Sequence, residues 1–324
     1  MIGVSVIICC FNSALRLPAT LKHIALQTGI TNISWEVIVV NNNSTDDTKD
    51  VAQSEWKKYQ CKAEFKIIDE LKSGLIHARK AGVNAAQYSY LIFCDDDNWL
   101  KDDYISKSYT QISQNQYIGI IGGCGQAVSD IILPDWFVDF ENCYAVGKQH
   151  SNSGCINNRG YVWGAGLVTR RALLQKVFSD NYPMLLVGRN ETKLLAGDDS
   201  EICKRVLLFG YDLYYNEELI YQHYIPDSRL QWNYLKMMQE GFKESHIILY
   251  KYDFLINELN EYRNNKCKKL LSVIIVILKQ LVVNQQIRYK IKLKYQILIT
   301  LLFNINIVAE DDYRIILDLF IKYK

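Results

Sequence analysis

The sequence lacks the motifs that identify several large classes of α/β proteins. No Gly-x-Gly-x-x-Gly follows an apolar run, and no Gly-x-x-x-x-Gly-Lys-Ser/Thr occurs anywhere in the chain. A dinucleotide-binding dehydrogenase and a P-loop NTPase are therefore disfavoured. His-Glu-x-x-His and Gly-x-Ser-x-Gly are also missing, which disfavours zinc proteases and α/β-hydrolases.

Proline is scarce and the cysteines show no pairing pattern. The 324 residues include four prolines and nine cysteines, with no Cys-x-x-Cys. This pattern predicts reduced thiols in a cytosolic protein, without a disulfide framework or a zinc site. The first residues form an apolar run with no basic segment before it, so a signal peptide is not expected. A hydrophobic content of 49% allows one large core, or one core plus a smaller domain.

Acidic residues are missing from one long stretch near the C-terminus. Between Tyr262 and Ala309 there is no Asp or Glu, but there are nine Lys and Arg residues. Because the whole chain has a net charge of only +2, the remainder is net negative. Such asymmetry predicts an anionic partner for the basic stretch.

Two apolar runs lie in this stretch, at 270–278 and 297–303. Both are shorter than the roughly 20 residues that a membrane-spanning helix needs. One interpretation is that residues 263–303 form amphipathic helices on an anionic membrane surface. The alternative is a helical subdomain that packs on the catalytic core or on a dimer partner. No nucleic-acid-binding motif accompanies the basic residues, so nucleic acid is not expected as a partner.

The first two-thirds of the chain alternates strand and helix patterns. Short β-branched runs predict strands, and apolar residues at helical spacing predict helices between them. Ser44 and Asp47 resemble a capping box that opens the second helix. This alternation predicts an α/β fold with an open, mostly parallel sheet and flanking helices. The predicted strands are at 4–9, 35–40, 65–68 and 90–94, and the predicted helices begin near 17, 44 and 73.

Phe11 and Asn12 follow the first of these strands, residues 41–44 follow the second, and Asp95, Asp96 and Asp97 follow the fourth directly. In open α/β sheets, ligands bind beyond the carboxyl ends of the strands. Magnesium and manganese are typically held by one or two carboxylates together with substrate phosphates. The acidic run therefore predicts a site for a divalent cation and a polyphosphate. The alternative is a solvated turn in which Asp97 or Asn98 caps the next helix.

The chain resembles family-2 glycosyltransferases with the GT-A fold over roughly residues 2–235. Seven segments match in the order that the family has them. They are 6–12, 39–46, 74–82, 93–100, 163–171, 197–202 and 223–230. The resemblance implies a Rossmann-like GT-A catalytic domain at 1–230, followed by a basic and apolar helical extension at 231–324.

The resemblance also implies roles for individual residues, all named here by their numbers in this sequence. Asp199 would be the catalytic base, for which the alternative is a helix N-terminal acid beside Asp198. Asp97 and His223 would hold the metal, although a lone histidine is more often a packed residue. Donor binding would fall to Phe11, Asn12, Asn42, Arg79, Asp95, Asp96 and Arg229. The acceptor side would be formed by Trp163, Gly164, Gly166 and Asp198.

The function implied is an inverting transfer of a sugar from a nucleotide-diphosphate sugar to a hydroxyl of a glycan or lipid-linked acceptor. Manganese or magnesium would be the cofactor and UDP the expected nucleotide. Surface-polysaccharide synthesis at the inner face of the cell membrane would be the setting, with an oligomer possible. The alternatives are a sugar-phosphate nucleotidyltransferase, or a glycan-binding scaffold that keeps the fold without catalysis.

Overall fold

A computed structural model describes residues 1–188, 196–264, 285–303, 308 and 310–323. Four parallel strands form the first half of its sheet, in the order β3, β2, β1, β4. Each is a few residues longer than the sequence pattern predicts. Their bounds are β1 Val4–Cys10, β2 Trp35–Asn42, β3 Glu64–Glu70 and β4 Tyr90–Asp95.

The second half of the sheet is mixed. Beyond β4 the order is β8, β6, β9, β5, and β7 pairs with β9. β8 runs antiparallel to β4 and β6, β9 runs parallel to β6, and β5 and β7 run antiparallel to β9. The bounds are β5 Asn98–Leu100, β6 Ile118–Val128, β7 Gly154–Cys155, β8 Val168–Arg170 and β9 Asp212–Tyr224.

Helices cover both faces of the sheet, which confirms the predicted α/β class. Those of the sheet region are α1 Leu17–Ala25, α2 Thr48–Trp56, α3 Leu75–Ala85, α4 Tyr104–Gln114, α5 Phe137–Phe140, α6 Arg171–Val177 and α7 Asp198–Leu208. Those after the sheet are α8 Trp232–Asn264, α9 Gln285–Phe303 and α10 Asp311–Tyr323. Short 3-10 helices span Glu141–Tyr144 and Asp227–Arg229.

Strand β1 shows why the sheet is buried on both faces. Val6 and Ile8 pack into one hydrophobic core, whereas Ile7 packs into a second core on the opposite face. Successive side chains of a strand point to opposite faces, so a continuous apolar run such as this one suits a strand covered by helices on both sides. All three side chains are fully buried.

One local prediction is wrong, and one alternative interpretation is ruled out. Ser44 does not cap α2: its hydroxyl accepts a hydrogen bond from the backbone N–H of Asn12, and α2 begins four residues later, at Thr48. Asp97 and Asn98 do not cap a helix either, because Asn98 begins strand β5. Ser44 contacts the loop after β1, and Asn98 pairs with His223 of β9. These tertiary contacts override the local capping patterns.

The C-terminal helices pack against the end of α7. Leu208 of α7 shares a hydrophobic cluster with Tyr252 of α8, with Leu293 and Ile297 of α9, and with α10. Leu293 and Ile297 are therefore buried inside the protein, as the helical-subdomain alternative predicts for this helix. The apolar run at 270–278 lies outside the described residues. No described helix combines the length and apolarity needed to cross a membrane.

A buried ion-pair network joins α7 to α8. The Arg205 guanidinium is fully buried, and it donates to Glu201 Oε1 and to the carbonyls of Val177, Tyr182 and Pro183. Glu201 also accepts a 2.7 Å hydrogen bond from the Tyr252 hydroxyl. The backbone N–H groups of residues 185 and 186 donate to the same carboxylate. The network fixes the helix that carries Asp198 and Asp199.

We expect Glu201→Gln to destabilise the protein by about 3–5 kcal/mol, because it leaves the buried Arg205 charge without a counter-ion. Tyr252→Phe is the matched control, since it removes only a hydroxyl and should cost about 1 kcal/mol. The free energy of unfolding, measured with urea by tryptophan fluorescence, tests this. Equal losses in the two variants would contradict the argument.

Candidate active site

A cavity of about 720 Å³ opens at the carboxyl ends of β1, β2 and β4. The parallel register places Cys9 of β1 beside Val40 of β2 and Asp95 of β4, so the residues that follow all lie at one edge. Most of the site residues predicted from the sequence lie at this edge. The cavity is lined by Phe11, Asn42, Arg79, Asp95, Asp96, Asp97, Trp163, Gly164, Asp198, Asp199, His223 and Arg229.

Two predicted site residues, Asn12 and Gly166, do not line this cavity. The Asn12 side-chain oxygen accepts a 2.8 Å hydrogen bond from the backbone of Thr45, which ties the loop after β1 to the loop after β2. The Gly166 carbonyl accepts a 2.6 Å hydrogen bond from the buried Tyr104 hydroxyl. Both residues therefore support the loops that form the cavity.

Asp96 is buried and held by residues that the sequence analysis did not identify. Arg16 donates from Nη2 to Asp96 Oδ2 at 2.6 Å, and the Ser13 hydroxyl donates to the same oxygen. The Thr20 hydroxyl donates to the Asp96 carbonyl at 2.8 Å. Burial and the adjacent Asp97 raise the pKa of Asp96, although Arg16 acts in the opposite direction. Arg16 stands in an unremarkable helix-entry segment, where no sequence motif marks it.

Asp97 lies between the Arg229 guanidinium and the His223 imidazole. Its Oδ2 accepts a 2.7 Å hydrogen bond from Arg229, and its Oδ1 lies 3.5 Å from His223 Nε2. The pairing of β5 with β9 explains the second contact, because it places His223 opposite Asn98, the residue after Asp97. Burial acts to raise the pKa of Asp97, but His223 and Arg229 outweigh it and hold that pKa well below its ordinary value.

The side chains around Asp97 fit a divalent cation whose remaining ligands are phosphate oxygens and water. His223 Nδ1 lies 2.6 Å from the Tyr144 carbonyl, which can only accept, so Nδ1 carries a proton. Nε2, which lies 3.5 Å from Asp97 Oδ1, is then the ring nitrogen available to a cation that Asp97 also holds. Among the described residues no group of three His, Cys, Asp or Glu side chains could hold a metal alone. Phosphate oxygens and water would have to complete the coordination.

Arg79 and Asp198 form a buried ion pair in the same cavity. Arg79 Nη1 lies 2.5 Å from Asp198 Oδ2, and the guanidinium lies over the Phe93 ring. Arg79 comes from α3 and Asp198 from the first turn of α7, so the pair joins the two helices. Gly164 packs so closely on Arg79 that any side chain there would collide with the guanidinium. Arg79, predicted to bind the donor, is thus already paired with an acid.

Asp199 has no described cation directly bonded to its carboxylate. It accepts hydrogen bonds from the backbone N–H of Gly164, at 2.9 Å, and from that of Ser200, at 2.7 Å. Burial and the neighbouring Asp198 raise the pKa of Asp199 above its ordinary value, while Arg79 and the two N–H donors act against this rise. A carboxylate with a raised pKa that lines a cavity is a plausible proton acceptor.

The remaining predicted residues differ in how much of each side chain is free to contact a ligand. The Asn42 amide is buried and hydrogen-bonded to the Glu70 and Lys72 carbonyls and to the Gly74 N–H, so it positions the loop after β3. Phe11 is 39% exposed, and its ring is open to a ligand. Trp163 is nearly buried, with the Arg159 guanidinium 5.2 Å from its ring centroid.

Helix α8 also lines the cavity, although the sequence analysis assigned it to an extension outside the catalytic domain. Sequence spacing marked its apolar face but gave no sign that this face meets the cavity. Residues 142–145, in and directly after the 3-10 helix Glu141–Tyr144, contribute as well. The α8 residues that line the cavity are Tyr234, Met238, Phe242, Ser245, His246, Leu249 and Asp253.

Several solved structures share this fold. The structure of a mannosyltransferase from Pyrobaculum calidifontis, in complex with GDP-Man and Mn2+, matches with a TM-score of 0.53 and 16% identity, covering 80% of this chain and 64% of that one. Residues 1–349 of S. aureus TarS in complex with UDP-GlcNAc match with a TM-score of 0.51 and 18% identity, covering 69% of this chain and 58% of that one. Identities this low show the fold alone, and they confirm the predicted GT-A architecture.

Sequence relatives point the same way. A poly-beta-1,6-N-acetyl-D-glucosamine synthase from Staphylococcus epidermidis is 21% identical over 230 residues, which are 70% of this chain and 51% of that protein. The putative glycosyltransferase EpsH from Bacillus subtilis (strain 168) is 33% identical over 102 residues, which are 32% of this chain and 28% of that protein. The chain thus spans about half the length of these relatives, or less.

The family model for glycosyl transferase family 2 matches residues 5–178, which is more than half of the chain. This span contains β1 to β4, the acidic run after β4 and the Gly164 segment, while Asp199, His223 and Arg229 lie beyond it. The chain belongs to glycosyl transferase family 2.

Proposed function

We propose that this protein is a metal-dependent, inverting glycosyltransferase that moves a sugar from a nucleotide-diphosphate sugar to a hydroxyl of a glycan or lipid-linked acceptor. The observation that carries the proposal is the division of labour between Asp97 and Asp199 in one cavity. Asp97 is held ionised by His223 and Arg229, whereas Asp199 has a raised pKa. Environments that separate the pKa values of nearby acids indicate separate chemical roles.

In the proposed reaction, Asp199 accepts the proton of the acceptor hydroxyl. The acceptor oxygen forms a bond to the anomeric carbon as the bond from that carbon to the diphosphate oxygen breaks. The bonding electron pair leaves with the nucleoside diphosphate. A cation at Asp97 and His223 would supply charge neutralisation for this leaving group. Arg229 lies beside Asp97, and Arg16 lies beside Asp96. Both guanidinium groups add positive charge at this edge of the sheet.

The ligands in the solved structures of these neighbours support a nucleotide-sugar donor and a divalent cation. TarS was solved with UDP-GlcNAc, and the Pyrobaculum enzyme with GDP-Man and Mn2+. We infer that UDP is the nucleotide here and manganese or magnesium the cation. The related poly-N-acetylglucosamine synthase favours an acceptor in surface-polysaccharide synthesis. Residues 1–230 with the flanking α8 would form the catalytic unit.

We expect UDP with manganese to raise the thermal midpoint of the wild type, and Asp97→Asn to abolish this rise. Ligand that binds only the native state at a hundred times its Kd adds about 2.7 kcal/mol to apparent stability. GDP, CMP and dTDP are tested in parallel by differential scanning fluorimetry, each variant against its own ligand-free midpoint. Asp180→Asn is the control, because Asp180 pairs with Lys80 on the surface and does not line the cavity. No rise with any nucleotide, or an undiminished rise in Asp97→Asn, would refute the donor site.

We expect Asp199→Asn to lower the transfer rate by about 10²–10⁴-fold, because it removes the proton acceptor. The nucleotide-induced thermal shift should stay, because the change removes no contact with the nucleotide-sugar donor. A general base must be ionised, so the wild-type rate should fall as pH drops through the Asp199 pKa. Because that pKa is raised, the fall should occur above the ordinary aspartate range of about 3.9. A steady-state pH profile with labelled donor measures this. An Asp199→Asn rate close to that of the wild type would assign the carboxylate to helix capping alone.

Contact with a membrane stays a prediction, and it would use exposed basic side chains of α9. Lys290, Lys292 and Tyr289 are exposed, while Leu293 and Ile297 are buried in the protein. These observations favour electrostatic contact with the inner face of the membrane over insertion of α9.

We expect binding to vesicles that contain phosphatidylglycerol but not to pure phosphatidylcholine, since each basic residue near an anionic surface contributes about 1 kcal/mol. Lys290→Glu/Lys292→Glu should weaken co-sedimentation, and Lys57→Glu/Lys58→Glu, on the exposed end of α2, is the matched control. Equal loss in both pairs would indicate a general charge effect, and no sedimentation of the wild type would support the helical-subdomain alternative.

A further inference from the structure

A second cavity, of about 460 Å³, lies beside the first. It is formed by the loop at 157–160, the C-terminal half of α7 and one face of α8. Arg159, Lys204 and Asp253 line both cavities, so these three side chains form a common wall. The two cavities are therefore adjacent, so that one extended ligand can contact both. The volume of the second cavity is within the range of ordinary ligand sites.

The lining of the second cavity is rich in side-chain amides. The amides of Asn158, Asn257 and Asn260 make no hydrogen bond to any other residue in the described part of the chain. Asn257 and Asn260 are three residues apart on α8, so they share one face of the helix. Asn157 differs, because it donates to Asp212 Oδ1 at 2.7 Å and accepts from the backbone of Leu213. Free amides offer both donors and acceptors, which match sugar hydroxyl and N-acetyl groups.

The charges of this cavity balance. Arg159 and Lys204 are its cations, Asp253 and Asp212 its acids, and Lys204 is bonded directly to Asp253. A polyanionic ligand would find no excess positive charge here. Aromatic rings are present as well: Tyr211 lines the second cavity, and Tyr161, whose ring centroid lies 4.4 Å from the Arg159 guanidinium, lines the first. Neutral sugars suit such a surface better than phosphate-rich chains do.

The wall between the cavities is held in a defined conformation. Lys204 is 6% exposed, and its ammonium packs against Gly160. Gly160 has a φ of +77°, and a side chain there would collide with that ammonium. This close approach brings the loop at 157–160 against α7, and α8 forms the other side of the cavity. The second cavity is therefore part of the fold itself, between secondary-structure elements that pack on each other.

We propose that the second cavity binds remote, uncharged sugar units of a polymeric glycan acceptor whose terminal hydroxyl lies at Asp199. The proposal rests on the glycosyltransferase function proposed above and names its acceptor class as a neutral oligosaccharide. Asn158, Asn257 and Asn260 would supply the hydrogen bonds. Affinity for the acceptor would then depend on chain length, because a single sugar reaches only the first cavity.

The test uses the full chain, fluorescently labelled, on an array of neutral and anionic oligosaccharides of one to six sugar units. We expect binding to increase with length among neutral glycans, and Asn257→Ala/Asn260→Ala to weaken the longer ones by about tenfold or more, the effect of losing two hydrogen bonds. Both residues are exposed on a helix where alanine is favourable, so the variant should fold. Asn233→Ala, an exposed asparagine at the other end of α8 that lines neither cavity, is the matched control.

The thermal shift with UDP and manganese is measured on the same variants, and it separates the two proposals. A normal nucleotide shift with no length dependence, or with equal binding by wild type and double variant, overturns the second site but not the transferase. Binding to anionic glycans alone also overturns it. Length-dependent binding that requires Asn257 and Asn260, without any nucleotide shift, upholds the glycan site and defeats the donor proposal.

Discussion

The buried ion pair between Arg79 and Asp198 is the interaction on which the candidate site depends. Two acids stand side by side at the start of α7, and without a cation both would be costly to bury. Arg79 reaches from α3 and pairs with Asp198, so that Asp199 is left with the backbone N–H groups of Gly164 and Ser200 and with the Ser200 hydroxyl as its donors. The pair thus divides two adjacent carboxylates into one that is structural and one whose pKa is raised. It also sets the distance between α3 and α7, which form two walls of the cavity.

The same logic applies at the opposite wall, where Asp96 and Asp97 are again adjacent and buried. Arg16 pairs with Asp96, and Arg229 with Asp97, so each acid has its own guanidinium. Because guanidinium groups stay charged and have several donors, each can hold a carboxylate and still offer an N–H to a phosphate. In the proposed reaction, a cavity whose acids are paired in this way would accommodate an anionic diphosphate. Asp199 departs from the pattern, and this departure supports its proposed role as the proton acceptor.

How far the sequence determined this picture can be judged from particular residues. The apolar run of β1 and the acids after β4 predicted a parallel sheet with a polar edge, because strand burial and strand ends are local properties. The position of His223 beside Asp97 came only from a resemblance to known proteins, and in the structure it follows from the pairing of β5 with β9. Arg16 was missed, since nothing in a helix-entry segment indicates that its side chain folds back on Asp96. Ser44 misled, because a local capping pattern lost to a contact with the neighbouring loop.

Helix α8 shows most clearly where local pattern stops being informative. Its apolar spacing predicts a packed helix, and its polar positions look like an ordinary solvated face. The hydrogen bonds of Tyr252 to Glu201 and Arg205 help to fix the orientation of that helix, in which His246 faces the first cavity and Asn257 and Asn260 face the second. A contact deep in the core therefore contributes to which side chains an acceptor would meet. For this reason the helix after the sheet belongs physically with the catalytic domain, even where its sequence marks it as an extension.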